Sequence, residues 1–94
     1  MRYMKSSLPD DMEMRRKRLY FRCWHRGTKE LDVLLGHFAD RYLAQMTDEQ
    51  IGHMEALLEC PDQDIYNWIA GRQAVPSDHD HAVMILLQNF SIDP

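Results

Sequence analysis

Leu31, Leu35, Phe38 and Tyr42 stand at i, i+4, i+7 and i+11, and Leu34 widens the same stripe. That spacing is the 3.6-residue period of a helix with one apolar face. It predicts a helix from about Lys29 to Gln45 that must bury its stripe against other elements. No segment alternates with period two for long enough to make a convincing strand. The fold class that follows is all-α, a compact bundle of short helices with tight connections.

The punctuation of the chain sets the other helices. Helix one is expected from about Asp10 to His25, with Asp10, Asp11 and Glu13 placed where acids suit the helix dipole. Its i, i+4 pairs are Leu19 with Cys23 and Tyr20 with Trp24, and the aromatics are expected to pack inward beneath basic stems. Gly27 fits the left-handed position after a helix, and Thr28 is a plausible N-cap for helix two. T-D-E-Q at Thr47 to Gln50 reads as a capping box for helix three, whose apolar face is Ile51, Met54, Leu57 and Leu58. Cys60-Pro61 breaks it, and Pro61 suits the first position of helix four. Ile65, Trp68 and Ile69 face inward there, and Gly71 ends the helix. After a loop over residues 72–77, helix five is expected from about Asp78 to Asn89, with Ala82, Ile85, Leu86 and Phe90 inward. Five helices in 94 residues make a single domain over residues 1–94, with residues 1–9 a loose tail.

Charge is uneven along the chain. Residues 1–47 hold ten Lys/Arg and six Asp/Glu, a net of +4, and residues 48–94 hold one and nine, a net of −8. If the halves do not interleave, the molecule carries an electrostatic dipole that steers partners. No run approaches the roughly 18 apolar residues a membrane helix needs. The first residues, MRYMKSSLPDDMEM, lack a secretory apolar core and carry acids, so the expectation is an unprocessed intracellular protein. Cys23 and Cys60 form no CxxC or zinc pattern, and both are expected reduced and mostly buried.

Candidate chemistry is sparse. His79 and His81 in D-H-D-H are alternate residues, which do not share a helix face, so a solvated helix start is the better reading than a chelate. Cys23 and His25 point apart for the same reason, which disfavours a nucleophile and base. RRKRLYFRCWHR, Arg15 to Arg26, holds six Lys/Arg and three aromatics, enough to grip phosphates. The acidic chain, with an isoelectric point near 5.6 and no nucleic-acid-binding signature, argues against nucleic acid as the partner.

One segment resists a purely structural account. R-G-T-K-E at Arg26 to Glu30 is a good helix-to-helix turn, in which Gly27 takes a positive φ that costs other residues roughly 1–2 kcal/mol. An Arg26–Glu30 surface pair would add only about 0–1 kcal/mol. The turn needs its glycine but not an arginine beside it and a glutamate at this spacing. Together they make a flat polar surface suited to docking a larger protein.

R-R-K-R-L-Y-F-R-C-W-H-R-G-T-K-E-L-D, followed by L-L-G-H-F-A-D, closely resembles the SdhE-type FAD assembly factors of bacteria and the mitochondrial flavinylation factors. The resemblance rests on R-G-x-x-E, here Arg26, Gly27 and Glu30, continued by Asp32. D-I-Y-N-W-I-A-G at Asp64 to Gly71 and Pro76 match a second signature, so the likeness runs from about Arg15 to Phe90. It implies a small five-helix assembly chaperone and not an enzyme. The implied partner is the flavoprotein subunit of succinate dehydrogenase, and in some bacteria that of fumarate reductase. The implied task is promoting covalent attachment of FAD to a histidine of that subunit. The flavin belongs to the client, so no stably bound cofactor is expected. The implied partner-binding residues are Arg26, Gly27 and Glu30, with Asp32 and His25 second to them. The apparent lack of a transit peptide favours a bacterial, cytoplasmic member. An antitoxin or regulatory protein-binding module is the alternative.

Overall fold

A computed structural model describes residues 7–90 of the chain. Five α-helices follow one another: α1 Ser7–Trp24, α2 Lys29–Tyr42, α3 Asp48–Leu57, α4 Asp62–Ile69 and α5 Ala82–Asn89. Short 3₁₀ turns at Leu43–Gln45 and Ser77–His79 complete the path. Among the described residues there is no strand, and no helix is long and apolar enough to cross a membrane. The all-α bundle expected from the periodicity is what forms.

The stripe on α2 organises the core. Leu31, Leu35 and Phe38 are fully buried, and Tyr42 packs partly against them. Leu19 and Cys23 of α1 close over this stripe, and Ile51, Met54 and Leu57 of α3 with Ile65 of α4 cover the rest. Gly36 lets α1 approach closely, because a Cβ there would lie 2.2–2.5 Å from the Trp24 ring. Thr47 and Gln50 form the expected capping box, each side chain taking the other's backbone N–H at 3.2 and 3.0 Å. Gly71 has φ +76 and closes α4 with paired bonds, Arg72 N–H to the Asn67 carbonyl at 2.8 Å and Gly71 N–H to that of Trp68 at 3.2 Å.

Several boundaries and faces differ from expectation. Helix one is already helical at Ser7, the first described residue, three residues ahead of the expected Asp10. Of the expected tail, Ser7 to Pro9 are therefore helical, and residues 1–6 lie outside the described residues. Helix two stops at Tyr42, because the chain tightens into a 3₁₀ turn there. Arg16 of α1 holds that turn, donating to the carbonyls of Leu43 at 3.3 Å and Met46 at 2.6 Å. Pro61 is the N-cap of α4 and not its first helical residue.

Helix five begins four residues later than expected, at Ala82, with the His81 Nδ1 accepting the Met84 N–H at 3.2 Å as its cap. Its buried face is Val83, Met84 and Leu87, with Leu86 and Phe90 partly covered, while Ala82 is exposed and Ile85 is 53% exposed. The run A-V-M-I-L-L has no polar residue to fix its phase, so the cap chooses the face.

The aromatics of α1 also depart from expectation. Tyr20 is 41% and Phe21 61% exposed, and only Trp24 packs down. At about 100° per residue, Phe21 stands two residues from both Leu19 and Cys23 and so points away from the core. The two charge halves interleave: Arg15 pairs with Glu55 at 2.7 Å, Arg22 with Glu59 at 2.8 Å and Arg26 with Asp62 at 2.7 Å. The expected dipole is therefore largely folded onto itself.

Candidate functional site

The turn between α1 and α2 is braced from both sides. Asp32, in the first turn of α2, reaches back to accept the backbone N–H of Arg26 and, at 3.3 Å, that of Gly27. Thr28 holds the N-cap position but makes no side-chain cap bond, so the expected cap does not form, and Asp32 instead ties down the backbone N–H groups that precede the helix. Gly27 has φ +116. A Cβ there would touch only the Asp62 carboxylate, at 3.8 Å, so the backbone angle and not crowding within the chain requires glycine.

Arg26 turns inward. Its Nε donates to Asp62 Oδ1 at 2.9 Å, and its Nη2 to the Cys60 carbonyl at 3.2 Å. Its side chain is 13% exposed. This clamps the turn onto the start of α4, and it corrects the expectation of an Arg26–Glu30 pair on a shared flat surface. Glu30 is exposed and has no ion-pair partner among the described residues. His25 is exposed as well; its Nδ1–H donates to the Phe21 carbonyl at 2.7 Å, and its ring stacks on Phe21 at 4.0 Å.

Beside the turn lies a cleft of about 240 Å³ between the start of α2 and α4. Thr28 and Glu30 form one wall, and Asp62, Gln63, Tyr66 and Arg72 the other. The Arg72 guanidinium lies over the Tyr66 ring, 5.4 Å from its centroid. The exposed cation facing Glu30 is therefore Arg72, which the sequence reading missed. A signal was there: Arg72 is the sole Lys or Arg of residues 48–94. Of the five expected site residues, Arg26, Gly27 and Asp32 meet at the turn, Glu30 faces the cleft, and His25 lies on the outer side of α1.

The other reactive side chains are elsewhere. Burial pushes the Cys23 thiol up to about 12, against weaker pulls from Arg26 and Arg22, so it stays an inert thiol in the core. Cys60 is half-buried, with its sulfur 3.3 Å from His79 Nε2, and burial raises its thiol pKa too. His79 stacks on Trp68 and His81 on His53, ring centroids 5.5 and 4.2 Å apart, so neither is the solvated helix start the spacing suggested. Among the described residues no group of three or more His, Cys, Asp or Glu side chains is placed to hold a metal ion.

The chain is similar to proteins of one kind. It is 42% identical over 69 residues to the FAD assembly factor SdhE of Acetobacter pasteurianus, covering 73% of this chain and 63% of that protein. It is 37% identical over 79 residues to the mitochondrial succinate dehydrogenase assembly factor 2 of Dictyostelium discoideum, covering 84% and 56%. Against the protein of that name from Danio rerio the identity is 34% over 82 residues, covering 85% and 52%. The chain thus spans from about half to just under two-thirds of the length of these relatives. The family described as the flavinator of succinate dehydrogenase matches residues 17–91. That match takes in the braced turn and both walls of the cleft, and the chain belongs to this family.

Proposed function

We propose that this chain is a non-enzymatic assembly factor, acting in a bacterial cytoplasm, that binds the flavoprotein subunit of succinate dehydrogenase. Where a cell has a fumarate reductase, its related subunit is a second client. The factor promotes covalent attachment of FAD to a histidine of the client. The observation that carries this reading is the exposed Glu30, without an ion-pair partner among the described residues, at the start of α2 beside a turn that Arg26 and Asp32 brace. Arg26 and Asp32 hold the turn rigid, Gly27 leaves its backbone bare for close approach, and Glu30 with Arg72 presents opposite charges to a docking surface. Charge-assisted bonds at such a preorganised site favour a specific protein contact.

The flavin stays with the client. The cleft beside Glu30, of about 240 Å³, is smaller than the roughly 300–1,000 Å³ that drug-sized ligands occupy, so Glu30 is assigned a protein partner and not the flavin. The factor's contribution is then geometric. Holding the client's histidine and flavin in attacking position removes entropy from the barrier, an effect that can reach several kcal/mol.

Reconstitution tests the reading. Apo flavoprotein subunit, FAD and a dicarboxylate are mixed with and without this protein, and covalent flavin is read as fluorescence of the denatured band. A clear gain that disappears with Glu30→Ala is expected. No gain from a folded protein would leave the turn a structural device and bring an antitoxin or regulatory role forward.

A further inference from the structure

Arg72 reaches the cleft from a fixed point on the backbone. On α4, Asp62 and Gln63 stand four and three residues before Tyr66, so the three share the face that lines the cleft, while Ile65 and Trp68 go into the core. Just past the helix end Gly71 takes φ +76, and the Arg72 backbone N–H donates to the Asn67 carbonyl at 2.8 Å. This C-cap sets where the Arg72 side chain leaves the chain. The guanidinium then lies over the Tyr66 ring, 5.4 Å from its centroid. A guanidinium stacked this way is held by its flat face and keeps its N–H edge free for a planar acceptor.

Two opposite charges share this cleft without meeting. Glu30 and Arg72 line the same space of about 240 Å³, yet neither belongs to an ion pair among the described residues. The third charged residue of the lining, Asp62, is neutralised by Arg26. The walls therefore carry one unmatched negative charge on α2 and one unmatched positive charge just past α4, which sum to zero. A polyanion finds no net attraction in such a cleft. Its complement is a second pair of opposite charges in the reverse order.

We infer that the cleft receives a reversed ion pair from the flavoprotein client, a cationic side chain on Glu30 and a carboxylate on Arg72, and that Tyr66 is the positioning residue that holds Arg72 for it. This rests on the reading given under Proposed function. The free edge of Arg72 can grip a carboxylate through two parallel N–H bonds. Tyr66 acts through Arg72. Without the ring, the guanidinium spreads over many rotamers that binding must then order, or it closes on Glu30 and cancels both charges.

Affinity for the apo flavoprotein subunit of succinate dehydrogenase is measured by titration calorimetry, with folding of each variant checked by circular dichroism. Arg72 is exposed, so Arg72→Ala should fold. It is expected to weaken binding about tenfold, the order of one charge-assisted contact. Tyr66→Leu should weaken it about threefold, and Tyr66→Phe, which keeps the ring, should rescue most of that loss. Added to Arg72→Ala, Tyr66→Leu should cost nothing further, because no guanidinium is left to hold. Exchanging the charges, Glu30→Arg with Arg72→Glu, reverses the pair at unchanged net charge and should bind no better than Arg72→Ala. Wild-type affinity in Arg72→Ala, with loss in Glu30→Ala, would overturn the reversed pair and leave the docking turn standing. Wild-type affinity in the exchanged variant would overturn it too, since the order of the charges would then not matter. An equal loss from Tyr66→Leu with and without Arg72 would overturn the positioning role. A wild type that does not bind the subunit would overturn both this inference and the reading it rests on.

Discussion

Arg26 and Glu30 share one motif but do different physical work. Arg26 is spent on Asp62 and the Cys60 carbonyl, and Glu30 is spent on nothing within the described chain. Two kinds of variant should therefore separate. Arg26→Met leaves a withdrawn carboxylate and a carbonyl without their donor, which should cost about 1–3 kcal/mol in urea unfolding. Glu30→Ala should leave the unfolding midpoint unchanged while client flavinylation falls. Asp32→Ala removes a charged acceptor from two backbone N–H groups and should destabilise by about 1.5–3 kcal/mol. Gly27→Ala should cost about 1–2 kcal/mol through its backbone angle alone. Gly27→Arg should in addition block docking and abolish client flavinylation. Full flavinylation with Gly27→Arg would place the docking centre elsewhere.

At the scale of elements, the contact between α1 and α2 depends on one small residue. Trp24 lies where a side chain on Gly36 would go, so Gly36→Ala must push the indole aside. Overpacking of this kind should cost about 1–3 kcal/mol, read as a lower denaturant midpoint with an unchanged slope. Paired with Trp24→Ala, the same change should cost much less, since the clash is gone; additive losses would show that the two do not touch. The element level is also where sequence reading succeeded and failed in instructive ways. Leu31, Leu35 and Phe38 were legible because polar residues between them fix the phase of the helix. Helix five was legible as a helix but not in phase, because its apolar run offers no polar marker.

At the scale of the whole molecule, the histidines join segments that the sequence keeps apart. His81 caps α5 through Nδ1, and its ring stacks on His53 of α3, nearly parallel at 4.2 Å. Burial, then the neighbouring His53 and His79, holds the His81 pKa below its ordinary 6.5, while Asp80 pulls weakly the other way. A histidine whose folded pKa is depressed binds fewer protons folded than unfolded, so stability rises with pH. Its contribution is complete above about pH 6.5 and is lost as pH falls toward the lower folded value. Urea midpoints should therefore drop between pH 7.5 and 5.5. His81→Ser, which keeps a cap acceptor without a titrating ring, should show a smaller drop. An equal drop in both proteins would assign the effect to other groups.

The sequence by itself determined the helical class, the α2 stripe, the capping box at Thr47 and the position of the turn at Gly27. These follow from local rules, in which the spacing of apolar residues and the chemistry of caps act within a few positions. The resemblance around Arg26, Gly27 and Glu30 was also a matter of local pattern. Only the tertiary structure decided that Arg26 faces Asp62, that Arg72 faces Glu30 across the cleft, and that Phe21 is left outside. Those outcomes depend on which surfaces meet between residues some 36 to 42 positions apart. Long charged side chains have many rotamers of similar energy, and the partner that packing brings within reach selects among them.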